Sequence, residues 1–438
     1  MTKSQSTTKS QSPVPAAPPT DAARPVVSIG IDWADQQHLV HLIEPGGRTS
    51  SRTLDQDPDE IAQWIGELRQ RFPGCTLAIA LEQSRGALMH ALLGLDGIEL
   101  YPINPKQLAR YREALDPSGG KTDPRDAELI ARFLLHHRDQ LRVWRPDTPE
   151  TRRLGFLAEF RRRLVDERKS ETLRLGSLLK LYFPLIIQLF GRNLHGELVL
   201  DLLGRWSTLK ELQRVHPKTL RAFFAEHAIR QEQKQTELIE TIRAATPLTQ
   251  DAAVIDPHAL YVQSLARQLV ELNRTIDQFD EQLSQAVAQH DDAPIFRSLP
   301  GAGDALVPRL IAAFGSDRTR YDSAADLQTQ SGIAPITKRS GKSCVIVRRH
   351  ACPKFLRQTF HEFANCARQW SSWSAAFYAM KRAAGMRHHA AIRALAFKWI
   401  RILFRLWKTR TTYSEKDYLQ HLKQKNSPVI KFLSTTPC

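Results

Sequence analysis

The sequence lacks the features that mark secreted, zinc-binding and membrane proteins. Its five cysteines form no CxxC pair and no regular spacing, which indicates neither a disulfide framework nor a zinc site. No stretch reaches the roughly 18 to 20 uncharged apolar residues of a membrane span, and the most apolar segment, FPLIIQLF, ends at Arg192. The N-terminus has no signal-peptide core. These absences predict a soluble, cytoplasmic protein that does not contact a membrane.

Acidic residues are scarce relative to basic ones. The 438 residues include 62 Lys and Arg against 46 Asp and Glu, which gives a formal net charge of +16 and a pI near 9.8. An excess of this size predicts a polyanionic partner, most often nucleic acid. The length predicts two or three domains, each with its own core.

The first third of the chain divides into a polar tail and an α/β domain. Residues 1–25 are mainly Ser, Thr, Gln, Pro and Ala, a composition that predicts disorder. In residues 26–145, the segments VVSIGID, HLVHLI and RTSSRTL predict three strands joined by turns, and CTLAIALE and IELYPI predict further strands that alternate with helices. This order favours a ribonuclease-H-like (RuvC-like) fold, although periodicity alone allows other α/β folds.

The rest of the chain is predicted to be mainly helical. Residues 146–292 predict a helical or coiled-coil linker with a heptad seam formed by Leu265, Leu269, Leu272, Ile276, Phe279 and Leu283. The seam indicates either packing against a helix of the same chain or an intermolecular coiled coil. Both stay open, because the partner within the chain, residues 151–182, carries Arg161 and Arg168 in its own apolar stripe. Residues 293–408 predict a mainly α C-terminal domain, and residues 409–438 a loose tail.

Four carboxylates of the α/β domain stand out. Asp32 follows the first strand, Glu82 follows the fourth, and Asp123 and Asp126 lie one turn apart at a helix start. Strand ends are where α/β sheets present ligand groups. The last two acids alone also suit an N-cap and a first helical turn. Together, the four favour a site for two magnesium ions about 4 Å apart, which would catalyse phosphoryl transfer.

The C-terminal domain contains two segments that indicate contact with phosphates. In LPGAG, Gly301 and Gly303 match the hairpin of a helix-hairpin-helix element, whose backbone amides approach a phosphate; a plain helix–helix turn is the alternative. In KRSGK, Ser340 lies among cations, and a serine needs an activating group and nearby cations to attack phosphorus. A solvated basic turn is the alternative there. The cations of this region are Lys338, Arg339, Lys342, Arg348, Arg349 and Arg357.

These motifs carry a resemblance to a known family. The segments IGID, ALEQS, INPKQLARYREAL and GGKTDPRDAELIA resemble those of bacterial insertion-sequence transposases that combine a RuvC-like DEDD domain with a C-terminal serine transposase domain. These are bridge-RNA-guided recombinases, and the pilin-gene invertases are their relatives. In that family a serine before a glycine follows the PGxG turn at a spacing similar to that from Pro300 to Ser340.

The resemblance implies both a mechanism and partners. Asp32, Glu82, Asp123 and Asp126 would bind Mg²⁺, and Ser340 would become covalently linked to DNA during strand cleavage and exchange. The partners would be the element's DNA ends and target, a structured bridge RNA, and further copies of the chain in a dimer to tetramer.

The sequence departs from the family pattern in two places, and two rival functions stay open. Asp35 stands where a lysine is common, and His350-Ala351-Cys352 stands where a Gly-Asn pair is frequent. Ser331 is the competing serine, but its position in the family is usually small and apolar, which favours a structural role. The rivals are a metal-dependent nuclease of the Holliday-junction type, which needs no serine, and a non-catalytic nucleic-acid-binding protein.

Overall fold

The computed structural model describes residues 24–82, 86–115, 123–341 and 343–433, apart from the side chains of Asp123 and Pro124. Contacts divide the chain after Pro146 into two compact units. This boundary adjoins the end predicted for the α/β domain. The helical middle and the C-terminal part, which the sequence analysis separates at residue 292, fall in one unit. The predicted tail, residues 1–25, lies outside the described residues except for its last two.

The first unit contains a five-stranded mixed sheet with the strand order β3-β2-β1-β4-β5. Its strands are Val26–Asp32 (β1), Gln37–Ile43 (β2), Thr49–Asp55 (β3), Thr76–Leu81 (β4) and Ile98–Pro102 (β5). β1 and β2 pair antiparallel, as do β2 and β3, whereas β1 pairs parallel with β4 and β4 with β5. Parallel pairs need crossover connections, and helices provide them here. The α/β prediction is confirmed.

Helices cover both faces of this sheet. They are Pro58–Arg71 (α1), Ala87–Ala91 (α2), Pro105–Leu115 (α3) and Asp123–His137 (α4), followed by a 3-10 helix, Arg138–Gln140. Asp57 caps α1, because its side chain accepts hydrogen bonds from the amides of Asp59 and Glu60. The apolar side of α1 packs on one face of the sheet, and α3 and α4 pack on the other.

The second unit is helical apart from one hairpin. Its helices are Pro149–Tyr182 (α5), Leu185–Phe190 (α6), Glu197–Arg205 (α7), Leu209–Arg214 (α8), Pro217–Glu226 (α9), Glu232–Ala244 (α10), Ala252–Ala288 (α11), Ala293–Arg297 (α12), Val307–Phe314 (α13), Ala324–Gln330 (α14), Lys354–Trp370 (α15), Ser372–Ala383 (α16), His388–Thr409 (α17), Glu415–Gln424 (α18) and Ile430–Leu433 (α19). The hairpin pairs Ile336–Ser340 (β6) with Ser343–Val347 (β7). The coarse prediction of a helical second half is confirmed.

The long helices α5 and α11 pack antiparallel, so the heptad seam serves a contact within the chain. The fully buried members of the seam are Leu265, Leu269, Ile276 and Leu283. The arginines that interrupt the stripe of α5 form polar pairs across the contact. Arg161 Nη2 donates to Asp280 Oδ2 at 2.8 Å, and Arg168 Nη1 donates to Asn273 Oδ1 at 3.0 Å. These pairs explain why a charged stripe can face an apolar one.

The segment after residue 409 corrects the prediction of a loose tail. Helices α18 and α19 form there, and Leu422 and Val429 are buried in the core of the second unit. The hydroxyl of Tyr413 accepts a hydrogen bond from Trp373 Nε1 at 2.7 Å and donates one to Glu415 at 2.6 Å. The apolar stripe of α18, formed by Tyr418, Leu419 and Leu422, is short, and it packs on the core of the second unit.

None of the helices in the described part of the chain is long and apolar enough to cross a membrane.

Candidate functional site

Asp32 and Glu82 lie at the same end of the sheet of the first unit, at the C-terminal ends of β1 and β4. In the parallel pair of β1 and β4, Ile31 lies opposite Leu81; Asp32 is the last residue of β1, and Glu82 directly follows β4. Neighbouring strands lie about 4.8 Å apart, so the two acids follow adjacent strand ends. Asp32 is half-buried and Glu82 is exposed.

Both acids belong to the face of the sheet that α4 covers. Side chains alternate between faces along a strand, and Val27, Ile29 and Ile31 pack on the α1 side. Asp32 therefore shares the opposite face with Gly30. In β4, Ala78 and Ala80 contact the α4 side, and continued alternation assigns Glu82 to it as well. The four strand residues preceding these acids on this face, Ser28, Gly30, Ala78 and Ala80, are all small.

Gly30 lets α4 approach this face closely. A Cβ atom at residue 30 would lie 2.2 Å from the carbonyl oxygen of Ala127 and 2.3 Å from the amide nitrogen of Ala131. Both distances are far below van der Waals contact. The helix turn that carries Asp126 is therefore held against the end of β1, two residues from Asp32. Gly30 is not among the predicted site residues, although a glycine inside a buried strand is a sign of close backbone approach.

We expect Gly30→Ala to destabilise the first unit by about 1–3 kcal/mol, because the added methyl group must displace the α4 backbone. DNA cleavage should fall as well, since Asp126 moves with the helix. Gly66→Ala is the matched control: residue 66 lies in α1 with nothing within 4 Å of an added Cβ, and the change should stabilise the helix by up to about 1 kcal/mol. Urea unfolding of both variants measures the difference. Equal unfolding midpoints would contradict the role given to Gly30.

Asp126 is a buried carboxylate with a cationic partner. Its relative exposure is 6%, and Arg112 Nη2, from α3, donates a hydrogen bond to its Oδ1 at 2.7 Å. A buried carboxylate is stable only with such compensation. Arg112 Nε is buried without a hydrogen-bond partner among the described residues, so the guanidinium is held mainly through Asp126. Sequence patterns did not reveal this arginine, because nothing local links it to an acid fourteen residues away.

The position of the fourth acid is described only through its backbone. α4 begins at Asp123, one turn before Asp126; its side chain lies outside the described residues, so the choice between a capping and a metal-binding role stays open. Among the described side chains, Asp32, Glu82 and Asp126 are not within 4.8 Å of one another. They share one edge and one face, and carboxylate oxygens are the donors that hard divalent cations prefer. The chemical type and the position of these residues fit a divalent cation. Its binding would require the three side chains to move closer together.

A different acidic cluster occurs in the second unit. Ligand atoms of Asp201, Glu226 and His227 lie within 4.8 Å of one another. Arg205 already occupies the cluster, with Nη2 at 2.7 Å from Asp201 and 3.4 Å from Glu226. Burial acts to raise the pKa of Asp201, but hydrogen bonds from His227 and Arg205 outweigh it and the pKa is lowered. We interpret this cluster as an ion-pair network that joins α7 to α9.

Ser340 lies at the tip of the β6–β7 hairpin. It pairs with Ser343, and the turn between them contains Gly341 at a φ of +54°, a conformation that glycine adopts without strain. Ser340 is exposed, as are Lys338 and Arg339. Lys342 lies outside the described residues. The structure thus gives Ser340 the accessibility that an attacking hydroxyl requires.

Ser331 has the opposite environment. Its side chain is fully buried, and its hydroxyl donates a hydrogen bond to the carbonyl oxygen of Gln328 at 3.3 Å. A hydroxyl in this position cannot reach a DNA backbone. The structural role predicted for Ser331 agrees with this environment.

The LPGAG turn joins α12 to α13, but its two glycines differ. A Cβ at Gly301 would lie 2.9 Å from Trp370 and 3.0 Å from the backbone of Cys366. The close approach that Gly301 permits is therefore to α15 of the protein itself. Gly303 is exposed with open space around it. The phosphate contact predicted for this turn stays a prediction, and the surroundings favour it at Gly303.

The cations that follow Ser340 lie at and beyond the base of the hairpin. Arg348 is exposed, whereas Arg349 and Arg357 are half-buried. Arg357 Nη1 contacts Cys352 Sγ at 3.5 Å, and Arg349 Nε is buried without a hydrogen-bond partner among the described residues. Arg349 and Arg357 therefore lie in more buried surroundings than the exposed cations of the KRSGK tip. The nucleic-acid contacts predicted for them stay predictions.

Comparison with known families defines the class of the protein. A model described as Transposase, of the DEDD type of IS110, matches residues 29–184, and a model described as Transposase IS116/IS110/IS902 family matches residues 293–379. Together they span more than half of the chain, and both describe transposases, enzymes that cut and rejoin DNA. The chain belongs to the IS110/IS116 family of bacterial insertion-sequence DEDD transposases. The DEDD domain suggests a divalent metal cofactor.

Relatives match the chain over nearly its whole length. A protein of Streptomyces coelicolor whose name assigns it to the transposase of the IS117 mini-circle is 27% identical over 409 residues, which cover 91% of this chain and 98% of the relative. The 43.6 kDa protein of insertion element IS110 from the same organism is 25% identical, covering 89% and 96%. The 42 kDa protein of IS900 from Mycobacterium paratuberculosis is 25% identical, covering 89% and 98%. The similarity therefore includes the helical middle.

Proposed function

We propose that the protein recombines the DNA of an insertion sequence through a covalent phosphoserine–DNA intermediate formed by Ser340. The observation that carries this proposal is the position of Ser340. It is an exposed hydroxyl at the tip of a hairpin, directly after two exposed cations, Lys338 and Arg339. The competing Ser331 is fully buried. Membership of a transposase family supplies the substrate class, DNA.

The attack would exchange one phosphodiester for another. The Oγ of Ser340 forms a bond to phosphorus, and the bond from phosphorus to one deoxyribose oxygen breaks. The serine proton passes to a base or to water, and the departing deoxyribose oxygen takes up a proton. Lys338 and Arg339 would balance the charge on the phosphoryl oxygens. The phosphoserine is itself a phosphodiester, so the free energy of the broken DNA linkage is conserved. A second deoxyribose hydroxyl can therefore attack the same phosphorus, release Ser340 and join a new strand.

We assign the first unit to the RNase H-like (RuvC-like) fold, with Asp32, Glu82, Asp123 and Asp126 as the residues that would hold Mg²⁺. The strand order, with three antiparallel strands followed by two parallel ones, supports the assignment, and so does the shared edge of the acids. When bound, the cation would supply charge neutralisation at the phosphate and orient it. The chain's own contribution is to hold Asp126 buried beside the strand ends, through Gly30 and the partner arginine Arg112.

The partners proposed beyond DNA rest on the family resemblance. A structured bridge RNA would select the target, and the protein would work as a dimer to tetramer in the bacterial cytoplasm, at the nucleoid. The net charge of +16 supports polyanionic partners, DNA and RNA alike.

The test uses full-length protein with its co-purified RNA, labelled element-end DNA and Mg²⁺. We expect joined recombinant strands, their loss when EDTA removes the metal, and their loss when ribonuclease removes the RNA. A matched reaction with Ca²⁺ shows whether binding persists without chemistry. Cut ends without any joined strand would favour the junction-nuclease alternative. Salt-sensitive binding without cutting or joining would favour a non-catalytic binding protein.

A further inference from the structure

A cluster of cationic and imidazole side chains occurs where α15 packs on α17, outside the residues assigned above to chemistry. On α15, Arg357 and His361 are four residues apart and share one face; on α17, His389 and Arg393 have the same spacing. The two helices meet at this face, because the rings of His361 and His389 have their centroids 5.5 Å apart. Arg348, which directly follows β7, completes the cluster.

The cluster has no acidic partner in the described part of the chain. No described carboxylate lies within ion-pair distance of Arg348, Arg357 or Arg393; the polar contact of Arg357 is with the sulfur of Cys352 at 3.5 Å. Burial lowers the pKa of Arg393, and the charges of Arg348 and Arg357 lower it further. Like charges held together without compensation destabilise a fold unless an anion binds there.

The nearest acid on α15 is committed elsewhere. Glu362 pairs with Arg309, whose Nη1 lies 2.5 Å from its Oε2, and with Arg162 at 3.4 Å. Burial lowers the pKa of His361, and the neighbouring His389 and Arg393 lower it further. A hydrogen bond to the His389 backbone acts in the opposite direction. The cluster thus offers guanidinium forks, which suit a phosphate diester.

The cluster adjoins the base of the hairpin that carries Ser340 at its tip. Val347, which precedes Arg348, pairs with Ile336 at the base. From Ile336 to Ser340 the strand spans four residue steps, or about 13 Å at 3.3 Å per residue. Along duplex DNA, with about 3.4 Å per base pair, that distance corresponds to roughly four base pairs.

We propose that Arg348, Arg357 and Arg393 form a binding site for a DNA backbone phosphate that lies roughly four base pairs from the phosphodiester attacked by Ser340. The site positions the duplex along the hairpin and takes no part in bond making. DNA is favoured over RNA because the site continues into the hairpin that must meet the cleaved strand. The assignment of distance rests on the proposed function, whereas the phosphate site itself does not.

Binding of element-end duplex in Ca²⁺, measured by fluorescence anisotropy over a range of salt, tests the site. We expect Arg393→Gln and Arg357→Gln each to weaken binding about tenfold and to reduce the salt slope by about one. Arg393→Lys should restore the slope, because it keeps the charge. The matched control is Arg405→Gln, which removes an exposed arginine of the same helix about 18 Å further along, and it should change neither quantity.

Replacing single phosphates by uncharged methylphosphonates locates the contact. Wild-type protein should lose affinity when the phosphate roughly four base pairs from the cleaved bond is neutralised, and Arg393→Gln should be indifferent to that change. Variants that bind duplex normally, or that lose only the co-purified RNA, would overturn the proposal. If Arg393→Gln unfolds at a lower temperature, Arg357→Gln takes its place, and an affinity, salt slope and phosphate dependence equal to those of wild type in that variant would also overturn the proposal.

The two proposals fail separately. If no covalent adduct forms but one phosphate position depends on Arg393, the serine mechanism fails and the binding site stands. If the adduct depends on Ser340 but no phosphate position depends on Arg393 or Arg357, the serine mechanism stands and the binding site fails.

Discussion

Replacing Ser340 by alanine should abolish the covalent protein–DNA adduct, with a loss of about 10³-fold or more in strand cleavage. The reason is that the exposed hydroxyl at the hairpin tip is the proposed attacking group, and alanine offers no oxygen to bond to phosphorus. The measurement is a denaturing gel of labelled element-end DNA after reaction with full-length protein, its RNA and Mg²⁺. A band that resists denaturation and disappears on protease treatment marks the adduct.

The hairpin provides its own control. Ser343 pairs directly with Ser340 across the turn and is equally exposed, so Ser343→Ala removes a hydroxyl from the same tip and should leave the adduct intact. Tyr378 is the second control, because its hydroxyl is hydrogen-bonded to His388 Nδ1 at 2.9 Å and a phosphotyrosine would survive alkali. An adduct that persists in Ser340→Ala and is lost in either control would transfer the role to that residue.

The second large effect is expected from Asp126→Asn, which should reduce cleavage by about 10²-fold or more because an amide binds divalent cations far more weakly than a carboxylate. Glu128→Gln is the matched control: it removes a carboxylate from the same helix, one that pairs with Arg132 at the surface, and should leave the rate unchanged. Single-turnover rates at several Mg²⁺ concentrations measure both. Equal rates for the two variants would remove Asp126 from the metal site.

A stability measurement separates the two possible roles of Asp126. Arg112→Met should destabilise the metal-free protein by about 2–3 kcal/mol, since it leaves a buried carboxylate without its cation. Mg²⁺ at about a hundred times its dissociation constant should restore up to about 2.7 kcal/mol, and should stabilise the variant more than wild type. If Mg²⁺ stabilises neither protein, Asp126 is a structural ion-pair partner only.

Local patterns were sufficient to predict the sheet of the first unit. Alternation and turn residues indicated the strands, and the acids could be placed at strand ends because the chain positions immediately after β1 and β4 are fixed by those strands. The helical seam was also predicted from its spacing. Its partner could not be chosen, because Arg161 and Arg168 resemble solvent-facing residues until Asp280 and Asn273 are known to lie opposite them.

Contacts between distant segments could not be predicted in this way. The pairing of Arg112 with Asp126 depends on how α3 packs beside α4. The proximity of Arg357 to Arg393 depends on how α15 packs on α17. Nothing in either local sequence distinguishes these arginines from others in a chain with a large positive excess. The C-terminal helices were missed for the same reason, since the burial of Leu422 and Val429 depends on distant helices of the second unit.

The hairpin that carries Ser340 pairs with no other strand in the described residues, and Val345 and Ile346 on it are 51% and 68% exposed. Two strands alone are marginally stable in water, so under the proposed function we expect the hairpin to become ordered when DNA binds to it. Part of the free energy of DNA association is then used to order the hairpin and does not appear as affinity. Selection among DNA sites would consequently be expressed in reaction rate more than in occupancy: a wrong site can be bound almost as tightly as the right one and still not be cut.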